Sequence, residues 1–271
     1  MTQQMPAPTN PPSAASASED AEAISALSNA ERLLLARQWQ GRAHAESIAC
    51  VRFARLLADI AHSGTSPAVL ELLAFAVGEE WRHAIACAKL AATYAGREMR
   101  LPTRTDDHSP PYREHPDDIA ATLRLVGVSC ISEMIAAAWL QECLEATTVP
   151  CVRETLRELL RDDVRHARIG WAHLATRSLS GCDNQHDLGP HLHRLFDESA
   201  TPWLHEDDLP PEGFPAHGIP SRRTTRETVF LTVREIVLPG FEQVGMDAEP
   251  GRKWLREAEA RYPLSSSAGS A

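Results

Sequence analysis

Two short segments of this chain are near copies of each other: Glu79-Glu80-Trp81-Arg82-His83-Ala84 and Asp162-Asp163-Val164-Arg165-His166-Ala167. Each sets a carboxylate three residues ahead of a histidine inside a long apolar stretch with helical period, so both side chains fall on one helix face, one turn apart. The first face runs Val69, Leu73, Ala76, Glu80, His83, Cys87, Leu90; the second runs Val152, Leu156, Leu159, Asp163, His166, Gly170, His173. A fold that buries these stripes must bury the acids and imidazoles with them. Another long helical stretch precedes each motif and carries its own acid. Glu46 lies on the stripe Leu35, Trp39, Glu46, Cys50, Phe53, and Glu133 on the stripe Val126, Cys130, Glu133, Ala137, Leu140.

The spacing alone is weak: the histidine and acid counts predict about 1.6 acid-x-x-His pairs by chance. The chain has four, and two of them, Asp59/His62 and Asp183/His186, sit at a helix end and in a loop. The mid-helix pairs are different, and Glu133 is the sharpest case. Apart from Cys130 it is the only ionisable residue in 125–141. An isolated buried carboxylate costs several kcal/mol unless it is paired or bound to a metal. Its compensation must therefore come from another helix or from an ion. A bundle whose acids pair with basic side chains and bind nothing is the plainer alternative, but it must explain acids at matching depth on four helices. Glu79 and Asp162, just before the motif acids, are expected to be solvated or to support the ligands from outside.

Four long helices are predicted, over residues 29–61, 67–95, 117–147 and 151–178. Ser28 caps the first; Ser66, Pro67 and Gly96 bracket the second. Short links imply two antiparallel hairpins. The long, Pro-rich link 97–116 implies a crossover between them. The expected organisation is a disordered segment 1–20, a four-helix bundle over 21–180, then an irregular segment with a C-terminal helix over 181–262, and a disordered tail 263–271. The C-terminal helix is predicted over 222–243, packed outside the bundle, and the 181–220 segment is a candidate cap for the site.

The 271 residues suffice for one large domain. A net charge of −10 without a Lys/Arg block argues against nucleic acid or an anionic membrane as partner. No signal peptide or membrane span is expected. The six cysteines lack zinc-finger spacing, which suits a reduced, cytoplasmic protein. Cys50, Cys87 and Cys130 each lie one turn from a proposed ligand. They are candidate pocket residues, although small apolar filler is the plainer role.

Glu46, Glu80-x-x-His83, Glu133 and Asp163-x-x-His166 resemble the ligand set of ferritin-like di-iron carboxylate proteins, in type, spacing and helix order. The likeness covers about residues 29–178 and extends to bacterial ferritin-like domain proteins with similar Arg-His-Ala repeats. It implies an all-α, ferritin-like four-helix bundle with an additional C-terminal helix. It further implies two iron ions (Fe2+/Fe3+), with manganese as an alternative, held by Glu46, Glu80, His83, Glu133, Asp163 and His166. Glu80 and Glu133 are then the bridging candidates. The chain departs from the pattern at Asp163, where Glu is commoner. Ala137, Cys87 and Leu159 lack the residues that mark, respectively, multicomponent monooxygenases, ribonucleotide reductase small subunits and arylamine N-oxygenases.

The function expected from the resemblance is a non-haem di-iron oxidase or oxygenase. It would use O2 to oxidise a small organic substrate, with an external electron donor and compatibly with a homodimer. The alternative is iron handling or peroxide scavenging, as in a ferroxidase or a dimanganese catalase-like protein. Because Gly170 and Asp163 are less bulky than Cys87 and Glu80, the open coordination position and the substrate are expected on the side of the second motif.

Overall fold

A computed structural model describes residues 14–101, 112–205 and 210–264. Nine helices give the architecture of the described residues: α1 (Ala14–Ser25), α2 (Asn29–Ser63), α3 (Pro67–Ala95), α4 (Asp117–Ala146), α5 (Pro150–Leu179), α6 (Asn184–Leu188), α7 (Leu192–Ser199), α8 (residues 222–243) and α9 (Glu249–Arg261). Short 3-10 turns lie between α6 and α7 and between α7 and α8. Among the described residues the only β pairing is one antiparallel bridge between Phe214 and Ile219.

Local chemistry explains the ends of the long helices. The Ser28 hydroxyl accepts from Glu31 N at 3.2 Å while Glu31 accepts from Ser28 N at 2.7 Å, a reciprocal cap on α2. Ser66 caps α3, Pro67 occupies its first turn, and Gly96 ends it in the left-handed region at φ 64°. Between α5 and α4 only residues 147–149 intervene, and Pro150 starts α5.

The helices α2, α3, α4 and α5 form the bundle, with α2 and α3 packed along much of their length. Its interior has two apolar cores. One holds Leu35, Trp39, Leu90, Leu140 and Leu156; the other holds Phe53, Ile60, Leu73, Leu125 and Ile169. Glu46, Glu80, Glu133 and Asp163 fall between the two core stretches on their respective helices. A third core lies outside the bundle, where α7, α8 and α9 cover α4 through Phe196, Phe241, Trp254, Ile131 and Ile135. Gly240 is needed there, since a Cβ would meet the Trp171 ring at 2.8 Å. Helices α8 and α9 thus pack outside the bundle.

Three expectations need correction. Residues 14–20 belong to α1 rather than to a disordered segment: Ile24 is buried, and Asp20 accepts from Cys151 N at 2.9 Å at the start of α5. Residues 1–13, 102–111 and 265–271 lie outside the described set, so disorder at the termini and the middle of the crossover are not described. The 181–220 segment contains α6 and α7, and α9 follows the helix expected to be last. Finally, α4 is long and apolar enough to span a membrane by length and composition, but 72% of that stretch is buried inside the protein. It is the core helix of a bundle and carries Glu133 near its middle.

Candidate metal centre

Glu133 is carried by an irregularity in α4. Residues Val126–Glu133 are π-helical, with α-helix on both sides. Such turns are frequent at functional sites. Its neighbour α5 is tied to it at the same level. The Ser129 hydroxyl donates to the His166 carbonyl at 2.5 Å and accepts from Gly170 N at 2.8 Å. Those two backbone groups would bond to each other in a regular helix. Gly170 admits this approach: a Cβ there would meet Cys130 Sγ at 2.5 Å.

All six predicted ligands are buried and converge in two groups. Glu80, Glu133, Asp163 and His166 offer donor atoms within 4.8 Å of one another, and so do Glu46, Glu80 and His83. Glu80 belongs to both groups; Glu133, the other bridging candidate, belongs to one. The two imidazole centroids are 5.9 Å apart, and Phe53 packs against His166.

The imidazoles are oriented by a crossed arrangement. His83 Nε2 lies 3.2 Å from Asp162 Oδ2, and His166 Nε2 lies 2.8 Å from Glu79 Oε2. Each motif's leading acid therefore holds the histidine of the other motif. Arg165 donates to both acids, to Glu79 at 2.5 Å and Asp162 at 2.7 Å, and Arg82 faces the same pair at 3.7 and 3.6 Å. Glu79 and Asp162 are thus neither solvated nor in the cluster. A carboxylate on Nε2 fixes a proton there and leaves Nδ1 as the inward atom.

The inward atoms are those without partners. Glu80 Oε1 and Oε2, His83 Nδ1, Asp163 Oδ1 and His166 Nδ1 are buried with no hydrogen bond. His166 Nδ1 lies 2.8 Å from Glu80 Oε1, at ion-pair distance but without hydrogen-bond alignment. Native proteins rarely leave so many buried polar atoms unsatisfied in one place. Carboxylate oxygens and imidazole nitrogens around a common centre are the donor set of a first-row metal. The residues present can hold metal ions.

Electrostatics agree. Burial pushes the Glu46 carboxyl well up despite Arg42, and pushes Glu133 up to about 7. Burial opposes charge on His83, but the hydrogen bond to Asp162 and the nearby Glu80 and Asp163 carboxylates outweigh it and push its imidazole up to about 10. His166 is likewise raised, against burial, by its carboxylate neighbours. In the metal-free chain, protons supply the positive charge the cluster needs.

A cavity of about 490 Å³ reaches the cluster at Glu46, Glu133 and Asp163. Helices α2 and α4 pack closely over Asp117–Leu125 and sparsely beyond it, which opens the space. Trp203, Leu204, Ile219 and Pro220 of the 181–220 segment also line it. Within it, Arg42 pairs with Glu46 at 3.1 Å and lies over the Trp139 ring at 4.8 Å, and Trp139 donates to Thr225 at 3.1 Å.

Two expectations about the lining fail. Gly170 does not open space beside the second motif, because Cys130 fills it. None of Cys50, Cys87 and Cys130 lines the cavity; Cys87 and Cys130 are fully buried in apolar cores. Burial pushes both thiols up, so neither is a ready nucleophile. The residues missed by sequence reasoning are Ser129, Arg42 and Trp139. Ser129 sits beside the predicted Cys130 but carries no motif of its own. His173 is held by Thr65 and Thr122 and takes no part in the cluster.

Comparison with family models, with curated proteins and with solved structures finds no match. The described residues are all-helical, with a buried carboxylate and histidine cluster that could bind metal, and this is compatible with a ferritin-like fold.

Proposed function

We propose that this protein is a ferritin-like, non-haem di-iron oxidase or oxygenase that uses O2 to oxidise a small organic substrate. One observation carries the reading: Glu80 is shared by two donor groups, each with one imidazole whose inward nitrogen has no partner. Glu46, Glu80 and His83 would hold one ion, and Glu80, Glu133, Asp163 and His166 the other. Two such ions supply O2 activation and electron transfer that no side chain here provides.

The chain's own residues prepare that chemistry. Glu79 and Asp162 keep the Nε2 protons in place, so each Nδ1 presents a lone pair inward. Arg42 holds Oε1 of Glu46 and leaves Oε2 toward His83, 3.9 Å away. Phe53 and the two flanking cores exclude water. The cavity brings an organic molecule to three of the four carboxylates. Electrons would come from an external donor. A ferroxidase or dimanganese catalase-like protein would use the same donors, but a cavity of this size at the cluster favours an organic substrate.

The test is anaerobic. Protein loaded with ferrous iron and then mixed with O2 should develop near-ultraviolet absorption with O2 uptake in proportion to bound iron. Glu80→Ala should abolish both. Tightly bound iron that gives no O2-dependent change would overturn the oxidase reading.

A further inference from the structure

Helix α3 carries a second stripe, on the side turned away from the cluster. Glu71, Phe75, Gly78, Arg82, Ile85 and Lys89 alternate steps of four and three residues, the spacing of a coiled-coil seam. All six are exposed, while Leu73, Ala76, Glu80, His83 and Cys87 of the same helix are buried where it packs on α2 and α5. Phe75 and Ile85 lie on the stripe and Trp81 beside it, and more than a third of each is exposed. Large apolar side chains grouped so closely on a surface mark an interaction site.

The order of residues along the stripe decides what fits it. Read from either end it gives a charge, then a bulky apolar side chain, then the middle pair Gly78 and Arg82. Two copies of α3 laid antiparallel, with a two-fold axis near residue 80, set Glu71 against Lys89 of the second copy, Phe75 against Ile85 and Gly78 against Arg82. Each pair then occurs twice, as a two-fold axis demands. A parallel pair would set Glu71, Arg82 and Lys89 each against its own copy, three layers of like charge. Moving the antiparallel register by one seven-residue repeat leaves two of the six positions outside the seam.

We propose that this face binds a second copy of the chain, α3 against α3, antiparallel and two-fold symmetric. Burial of Phe75, Ile85 and Trp81 from both copies supplies the affinity, and the opposite charges at the two ends set direction and register. A Cβ on Gly78 would meet only the Arg82 side chain, at 3.8 Å, so the middle of the seam is low and has room for Arg82 of the second copy. That guanidinium does not enter the seam uncompensated: it faces Glu79 and Asp162 of its own chain at 3.7 and 3.6 Å. The same two acids hold the imidazoles of His166 and His83. The second copy therefore covers, from outside, the network that orients both histidines. Metal plays no part in the pairing.

Sedimentation equilibrium of the full-length protein should show a dimer with a low-micromolar or tighter dissociation constant. Phe75→Asp should weaken it about 100-fold or more, the loss of a central apolar contact from both copies. The decisive variants are at the ends. Glu71 and Lys89 of one helix stand about 27 Å apart, so they cannot meet within a chain. Glu71→Lys should weaken the dimer about tenfold, because both ends then carry like charges, and adding Lys89→Glu should restore the affinity to within about threefold of wild type. Helix content by circular dichroism should match wild type in every variant, which separates lost pairing from lost folding. A monomer at high-micromolar concentration would overturn the proposal and leave the seam to a different protein. A dimer indifferent to Phe75→Asp and Glu71→Lys would overturn it in favour of another face. So would a double variant no tighter than Glu71→Lys alone, since Glu71 and Lys89 would then not meet across the axis.

Discussion

His166 and His173 stand on the same face of α5, about two turns apart, and both are buried, yet their surroundings differ in kind. Around His173 every hydrogen-bonding atom has a partner. Thr122 donates its hydroxyl proton to the Asp118 carbonyl, so it must accept from His173 Nε2 at 3.1 Å; Thr65 then donates to Nδ1 at 3.0 Å. Burial, with Arg177 nearby, pushes this imidazole down to about 4 and keeps it neutral. Around His166 one nitrogen is held by Glu79 and the other faces three carboxylates with no hydrogen bond. Burial of a histidine therefore says nothing about metal. Unused bonding capacity, gathered at one point, does.

The sharpest way to break the contrast is at Glu80. Its replacement by Ala removes the one side chain common to both donor groups, so binding of both ions should weaken by more than ~100-fold, beyond the usual loss from an outer partner. Titration with ferrous or manganous ion reads this directly, and retention of either ion at wild-type affinity would contradict the shared position. A smaller effect belongs to the acids behind the histidines. Asp162→Asn and Glu79→Gln should each cost ~10–100-fold in metal affinity. Because the pairing is crossed, Glu79→Gln should weaken the ion held by His166 and Asp162→Asn the ion held by His83.

His173→Leu supplies the opposite limb. It should lower stability by about 1–3 kcal/mol, measured by urea unfolding, through the hydroxyls it strands. Metal content should not change. A loss of metal comparable to that of the Glu79 variant would erase the distinction between the two histidines.

Acid and base should also separate them in metal-free protein. The folded His173 imidazole lies below its ordinary value of 6.5, so its contribution is present above 6.5 and lost as pH falls toward about 4. Glu133 and His83 are raised instead. Their contributions are present below 4.5 and 6.5 respectively, and are lost as pH rises through about 7 and about 10. Thermal stability of the metal-free chain should decline on both flanks. Metal loading should flatten the alkaline flank and release protons, a release visible in weakly buffered solution. The smallest effect is expected at the cysteines: Cys87→Ala should cost ~1 kcal/mol or less in stability and leave metal affinity unchanged.

The parts of this molecule that could be read from sequence are those written in local periodicity. Ser66, Pro67 and Gly96 bracket α3 at the predicted residues, and the polar interruptions at Glu80 and Asp163 mark the cluster. What escaped depends on contacts between helices. The crossed pairs Glu79–His166 and Asp162–His83 require α3 to face α5 in one register. The π-helical stretch of α4 carries Ser129, whose hydroxyl reaches the α5 backbone. Helix α1 has an Ala/Ser/Glu composition that favours no burial, and it docks through Asp20 on the first turn of α5. The cavity depends on where α2 and α4 part, and on side chains of α8 far along the chain.

The central claim is that six buried side chains form one two-metal site. Metal analysis of full-length protein from iron-supplemented cells tests it most directly. The account predicts close to two iron ions per chain, with a loss of both on Glu80→Ala and of the ion on the His166 side on Glu133→Ala. Less than about half an ion per chain, unchanged by either substitution, would contradict it.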